Sequence, residues 1–139
     1  MKVGITSGCF DLLHPLHVLY LEKCKQECDF LIVGVDSDSL IVKQKEKIPI
    51  FNQRDRMYML SSLKFVDEVI LLNSLENYSE LLANQHPDYS VVQFKNSSNI
   101  YGYPSIEIEN VELIVIPDIN VFDSTTSIIN HLKKINNDK

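Results

Sequence analysis

The 139-residue chain has no excess of positive charge: 13 Lys and Arg stand against 19 Asp and Glu, a net charge of −6. Proteins that wrap nucleic acid show a basic surface, so this balance argues against nucleic acid as a partner while leaving room for a local basic pocket. No apolar run approaches the roughly 20 residues that span a membrane, so no membrane partner is expected. The start, Met1-Lys2-Val3-Gly4, lacks a signal-peptide pattern. Cysteine is scarce and odd in number, at three. Without a secretory signal that suggests reduced thiols and a cytoplasmic setting. Cys24 and Cys28 fall on one side of an expected helix and read as small buried apolar side chains. No second Cys or His pair has the spacing to complete a zinc site. The chain also lacks a G-x-G-x-x-G after its first apolar run, and the acid about 20 residues on cannot be placed, so a nicotinamide-dependent dehydrogenase is disfavoured. Repeats, linkers and low-complexity stretches are missing too.

What is present is a single-domain rhythm over residues 1–139, enough chain to bury an ordinary core. Lys2 to Thr6 reads as a strand, and His17 to Cys28 as a helix with Val18, Leu19 and Leu21 inward. Phe30 to Val35 is continuously apolar, as a strand buried on both faces should be. Asp36 to Lys47 is polar and lysine-rich, and the Lys43–Lys47 loop within it, without an apolar face to anchor it, reads as mobile without ligand. Asn52 is placed to cap a helix over Gln53 to Leu63, with Met57, Leu60 and Leu63 inward. Val66 to Leu72, Tyr89 to Phe94 and Val111 to Ile116 read as further strands. Leu75 to Gln85 reads as a helix, Lys95 to Ile106 as a loop, and Thr125 to Ile135 as a final helix capped by Ser124. Alternating strands and helices predict an α/β fold, a doubly wound parallel five-stranded sheet with helices on both faces.

The chemistry concentrates at the junction Ser7-Gly8-Cys9-Phe10-Asp11-Leu12-Leu13-His14-Pro15-Leu16-His17. It lies where the first strand ends and the first helix begins. In open α/β sheets ligands sit at that carboxyl end, and a helix start offers free N–H groups and a positive dipole end to an anion. Histidines at i, i+3 share a helix face and can donate N–H to phosphate oxygens. The alternatives are two histidines satisfied by backbone, or a metal site shared with Cys9; no protein-held metal is expected.

With its context, Gly8-Cys9-Phe10-Asp11-Leu12-Leu13-His14-x-x-His17 resembles the nucleotide-binding motif of the cytidylyltransferase-like nucleotidyltransferases. Further segments in the same order are similar to that family. These are Tyr20 to Lys25, Leu31 to Asp38, Lys43-Gln44-Lys45, Arg54-Asp55-Arg56, Val66 to Ile70 and Ser124-Thr125-Thr126-x-Ile128. The nearest types resembled are glycerol-3-phosphate cytidylyltransferases and the adenylyltransferase domain of ADP-heptose synthases. The resemblance implies a Rossmann-like fold, often dimeric. It also implies transfer of a nucleoside monophosphate from CTP or ATP, carried with Mg²⁺, to a small sugar- or polyol-phosphate, with release of pyrophosphate. By the same resemblance His14, His17 and Lys45 are the catalytic candidates. Ser7, Gly8, Cys9, Phe10, Arg56, Ser124, Thr125 and Thr126 are candidates for holding the nucleotide, and Asp11 and Asp38 for binding substrate hydroxyls or orienting the loop.

The chain departs from the family pattern at three places. Leu16 stands where the family has glycine, and a leucine there is expected to crowd the ligand. Val92 to Ser98 lacks the usual Gly-Asp pair. Val121-Phe122-Asp123 precedes Ser124 where an arginine and a glycine are common. These departures motivate a second reading, a catalytically weakened nucleotide-binding protein of the same fold.

Overall fold

The computed structural model describes residues 1–97, 106–117, 130 and 132–135. Five strands, β1 (Lys2–Gly8), β2 (Phe30–Asp36), β3 (Glu68–Leu72), β4 (Ser90–Asn96) and β5 (Val111–Ile116), form one sheet. Its order is β3-β2-β1-β4-β5 and every pairing is parallel. Among the described residues four helices join them: α1 (Pro15–Gln26), α2 (Asp38–Lys45), α3 (Gln53–Ser61) and α4 (Leu75–Ala83). The chain winds outward from β1 to β3 on one side, then returns to β4 on the other. The direction reverses between β1 and β4, which makes their carboxyl ends the crevice of a doubly wound sheet.

Side-chain alternation along the strands splits the core into two layers. Leu31, Val33, Val35, Val92 and Phe94 face one way and pack with Tyr20, Leu21 and Cys24 of α1 and Leu60 of α3. Val3, Ile5, Ile32, Leu72 and Val91 face the other way, with Leu40 of α2 and Tyr78 and Leu82 of α4. The expected α/β, Rossmann-like sheet with helices on both faces is the fold observed.

Local chemistry explains most boundaries. The Asn52 side chain accepts from Asp55 N and starts α3 where expected. Ser74 caps α4 in the same way. Two elements differ from expectation. The polar, lysine-rich segment, read without a helix, contains α2, which the Ser37 side chain caps through Leu40 N. Leu40 and Ile41 bury its inner side, and a two-residue apolar pair is too short to show as a helical period. In α1, Tyr20 and His17 are buried where Val18 and Leu19 were expected; Val18 and Leu19 are half-buried. Strand β1 runs two residues past Thr6, so Ser7 and Gly8 belong to the sheet, and β4 extends through Lys95 and Asn96. Cys24 is fully buried as expected, while Cys28 lies beyond the end of α1 and is half-buried; both are free thiols. The expected cap at Ser124 and the start of the last helix lie outside the described residues.

Candidate active site

The turn from β1 into α1 is short and strained. Phe10 and Leu12 adopt left-handed backbone conformations, φ 50° and 49°. For residues with a side chain that costs on the order of 1 kcal/mol each, so surrounding contacts must hold the turn. Several do. The Phe10 ring lies over Gly8, where a Cβ would come within 2.8 Å of it. The same ring meets His17 edge-on, with centroids 5.5 Å apart. Arg56, reaching across from α3, donates from Nη1 to the Cys9 carbonyl at 2.7 Å.

His14 and His17 form a reciprocal cap. His14 precedes the first turn of α1, and its Nδ1 accepts from Leu16 N at 3.3 Å. His17 Nδ1 accepts from His14 N at 3.2 Å. The rings stack with centroids 3.9 Å apart. Burial lowers the pKa of His14 and, together with neighbouring His14, brings that of His17 down to about 3. Both rings are therefore neutral at pH 7. A neutral imidazole whose Nδ1 accepts carries its proton on Nε2. The network thus assigns two Nε2–H donors at a helix N-terminus. His14 Nε2 is buried and has no hydrogen-bond partner among the described residues. A buried donor left without an acceptor costs about 1–3 kcal/mol, a cost that a bound oxyanion would remove.

Lys45, the last residue of α2, reaches back to Cys9, with Nζ 3.1 Å from Sγ. The Cys9 thiol also donates to Asp36 Oδ2 at 3.4 Å. Burial, then the Asp36 carboxylate, push the Cys9 pKa up, so the thiol stays protonated. Lys45 thus brings its ammonium to the first motif.

Three other candidates are engaged with the protein itself. Arg56 is fully buried; Nε donates to Phe51 O at 3.0 Å and Nη2 to Asp38 Oδ1 at 2.8 Å, beside its bond to Cys9. Its fork ties the motif turn, the α2–α3 connection and the start of α2 into one unit. Asp38 supplies the acid of that tie. Asp11 accepts from Ile50 N at 2.7 Å and Phe51 N at 2.9 Å, pinning the same connection to the motif turn. Leu16, expected to crowd the ligand, is buried, and its N–H is the group that holds His14. Ser7 is buried at the end of β1. Ser124, Thr125 and Thr126 lie outside the described residues.

Two residues not singled out from the sequence also end at this edge. Asp36 closes β2 and Lys95 lies near the end of β4; both are buried. Burial raises the Asp36 pKa and lowers that of Lys95 to about 8, the Asp36 charge opposing the latter shift. The signal was present: each is a charged residue directly after an apolar strand, Phe-Leu-Ile-Val-Gly-Val-Asp and Val-Val-Gln-Phe-Lys.

Comparison with known proteins agrees with this geometry. The family model described as cytidylyltransferase-like matches residues 5–132. The bifunctional protein HldE of Hyphomonas neptunium is 34% identical over 131 residues, covering 93% of this chain and 26% of that protein. The HldE of Campylobacter concisus is 35% identical over 138 residues, covering 99% and 28%. The chain thus spans about a quarter of the length of these curated relatives. A crystal structure of the lipopolysaccharide core biosynthesis protein from Thermoplasma volcanium GSS1 matches with a TM-score of 0.65 at 27% identity. That match covers 86% of this chain and 99% of the other. With the histidine pair at the crevice of a 3-2-1-4-5 sheet, the match over nearly its whole length places this chain in the cytidylyltransferase-like family of nucleotidyltransferases.

Proposed function

We propose that the domain transfers a nucleoside monophosphate from Mg²⁺-bound CTP or ATP to a small sugar phosphate. The observation that carries this reading is the reciprocal His14/His17 cap with its unpartnered buried His14 Nε2 at the β1–β4 crevice. The acceptor phosphate oxygen attacks the α-phosphorus, the bond to the β-phosphate oxygen breaks, and pyrophosphate leaves. Such transfer is mostly positioning and charge neutralisation. The two Nε2–H donors address the α-phosphoryl oxygens as charge redistributes, and being neutral they need no proton exchange with solvent. Lys45 leaves Cys9 for the phosphates, a short swing at the C-terminal end of α2. Ser124, Thr125 and Thr126 take the β- and γ-phosphates. Arg56 and Asp11 keep the motif turn and the α2–α3 connection in register.

The Mg²⁺ arrives as part of the substrate. Such an ion is bound mainly by triphosphate oxygens and water. The Thermoplasma protein's part in lipopolysaccharide core biosynthesis favours a sugar phosphate over glycerol phosphate.

The test is pyrophosphate release with Mg·CTP and Mg·ATP against a panel of aldose phosphates. One nucleotide and one acceptor class should turn over. His17→Ala should slow the transfer about 100- to 1,000-fold while keeping the far-UV dichroism of the parent. Binding without turnover by the unaltered chain across the panel would favour the weakened protein instead.

A further inference from the structure

Asp36 and Lys95 are not used by the chemistry described above, and each keeps one buried polar atom unsatisfied. Asp36 Oδ1 and Lys95 Nζ have no hydrogen-bond partner among the described residues. Asp36 is 3% exposed and Lys95 4%. Native proteins seldom leave such atoms orphaned without a functional reason. The two belong together. In the sheet order, β2 and β4 flank β1. By alternation Asp36 shares the face of Ile32 and Lys95 that of Val91, the layer covered by α2 and α4. The strands that carry them are two spacings apart, roughly 10 Å. A lysine side chain covers most of that distance, and each group feels the other's charge. The other charged groups felt by Asp36 are Lys45 and Arg56, and its second oxygen, Oδ2, is taken by the Cys9 thiol.

We infer that Asp36 and Lys95 read a hydroxyl group of a bound substrate, Oδ1 accepting the hydroxyl proton while Nζ donates to the hydroxyl oxygen. The polarity of the pair selects that ligand. A carboxylate beside an ammonium offers no excess positive charge to a phosphate dianion, and the carboxylate would repel it. A hydroxyl is donor and acceptor at one atom and satisfies both orphans at once. The pair sits beside the crevice where the α-phosphate is expected, so the hydroxyl belongs either to the ribose of the nucleotide or to the sugar of the acceptor. This inference rests on the nucleotidyltransferase reading for the identity of the ligands, and its test needs no turnover.

Mg·ATP, Mg·CTP and their 2′-deoxy and 3′-deoxy counterparts are titrated calorimetrically into the full chain. A second series titrates aldose phosphates and their mono-deoxy analogues. The intact chain should bind one analogue about 10- to 100-fold more weakly than its parent, because the missing hydroxyl leaves both buried groups unpaired. Lys95→Met and Asp36→Asn should each abolish that discrimination, with folding checked by urea denaturation; Lys95→Gln replaces a Lys95→Met that does not fold. Discrimination in the nucleotide series assigns the ribose, and in the aldose series the acceptor. Absence of discrimination in the intact chain, or its survival in folded variants, overturns the inference. Failure of the proposed transfer shows separately, as binding without pyrophosphate release.

Discussion

Replacing Arg56 by methionine separates two roles that an arginine can play at this place. The sequence pattern suggests a guanidinium offered to a phosphate. The structure shows one fully buried and bonded to Cys9 O, Phe51 O and Asp38 Oδ1. Hydrogen bonds from a charged donor contribute about 1.5–3 kcal/mol each, and the two carbonyl partners lose theirs in the variant. Asp38, with a side chain 37% exposed, regains water and adds less. Release of the buried charge offsets part of the loss. The expected destabilisation is about 3–5 kcal/mol, in the range found when one member of a buried ionic contact is removed. Urea unfolding measures it as a lower midpoint at unchanged slope. For a chain of this size the melting temperature should fall by about 10–20 °C. Methionine fills much of the same volume, so a packing void is not the main term. An arginine serving chiefly as a phosphate ligand behaves differently: its removal costs nucleotide affinity and leaves stability unchanged or improved. A loss below about 1 kcal/mol accompanied by weaker nucleotide binding would refute the structural role.

Two further outcomes follow from the same site. His17 has a pKa of about 3 in the folded chain against the ordinary 6.5 of a histidine, because burial and neighbouring His14 disfavour its cation. Below pH 6.5 the unfolded chain therefore takes up a proton that the folded chain refuses, and stability declines as pH falls from 6.5 towards 3. Urea midpoints at pH 7 and pH 5 should differ less for His17→Gln than for the parent, and equal pH dependence would remove the assigned burial effect. Asp11→Ala frees the amides of Ile50 and Phe51 from their carboxylate acceptor, so their hydrogen exchange should quicken about tenfold. Exchange in the middle of α2 should stay slow; unchanged exchange at Ile50 and Phe51 would mean that the connection is held by other contacts.

The strand–helix rhythm, the five parallel strands and the placement of the histidine pair at the first crossover were legible in the sequence. Each depends on local pattern: an unbroken apolar run for a doubly covered strand such as Phe30–Asp36, a capping side chain such as Asn52, and an i, i+3 spacing for His14 and His17. The α2 helix was not legible, because its inward face consists of Leu40 and Ile41 alone and its stability comes from Ser37 and from the sheet beneath. Burial of Arg56 was hidden for a related reason. Its three acceptors come from Cys9, Asp38 and Phe51, and two of them lie far along the chain, where no spacing rule connects them. Lys95 and Asp36 stand 59 positions apart, and only the order β2-β1-β4 places them on either side of one strand. The sequence by itself determined which segments become strands and which residue types stand at the ends of those strands. The tertiary structure decided which charges are taken up by the protein and which are left for a ligand, because that division depends on desolvation and on partners that meet only when the sheet is assembled.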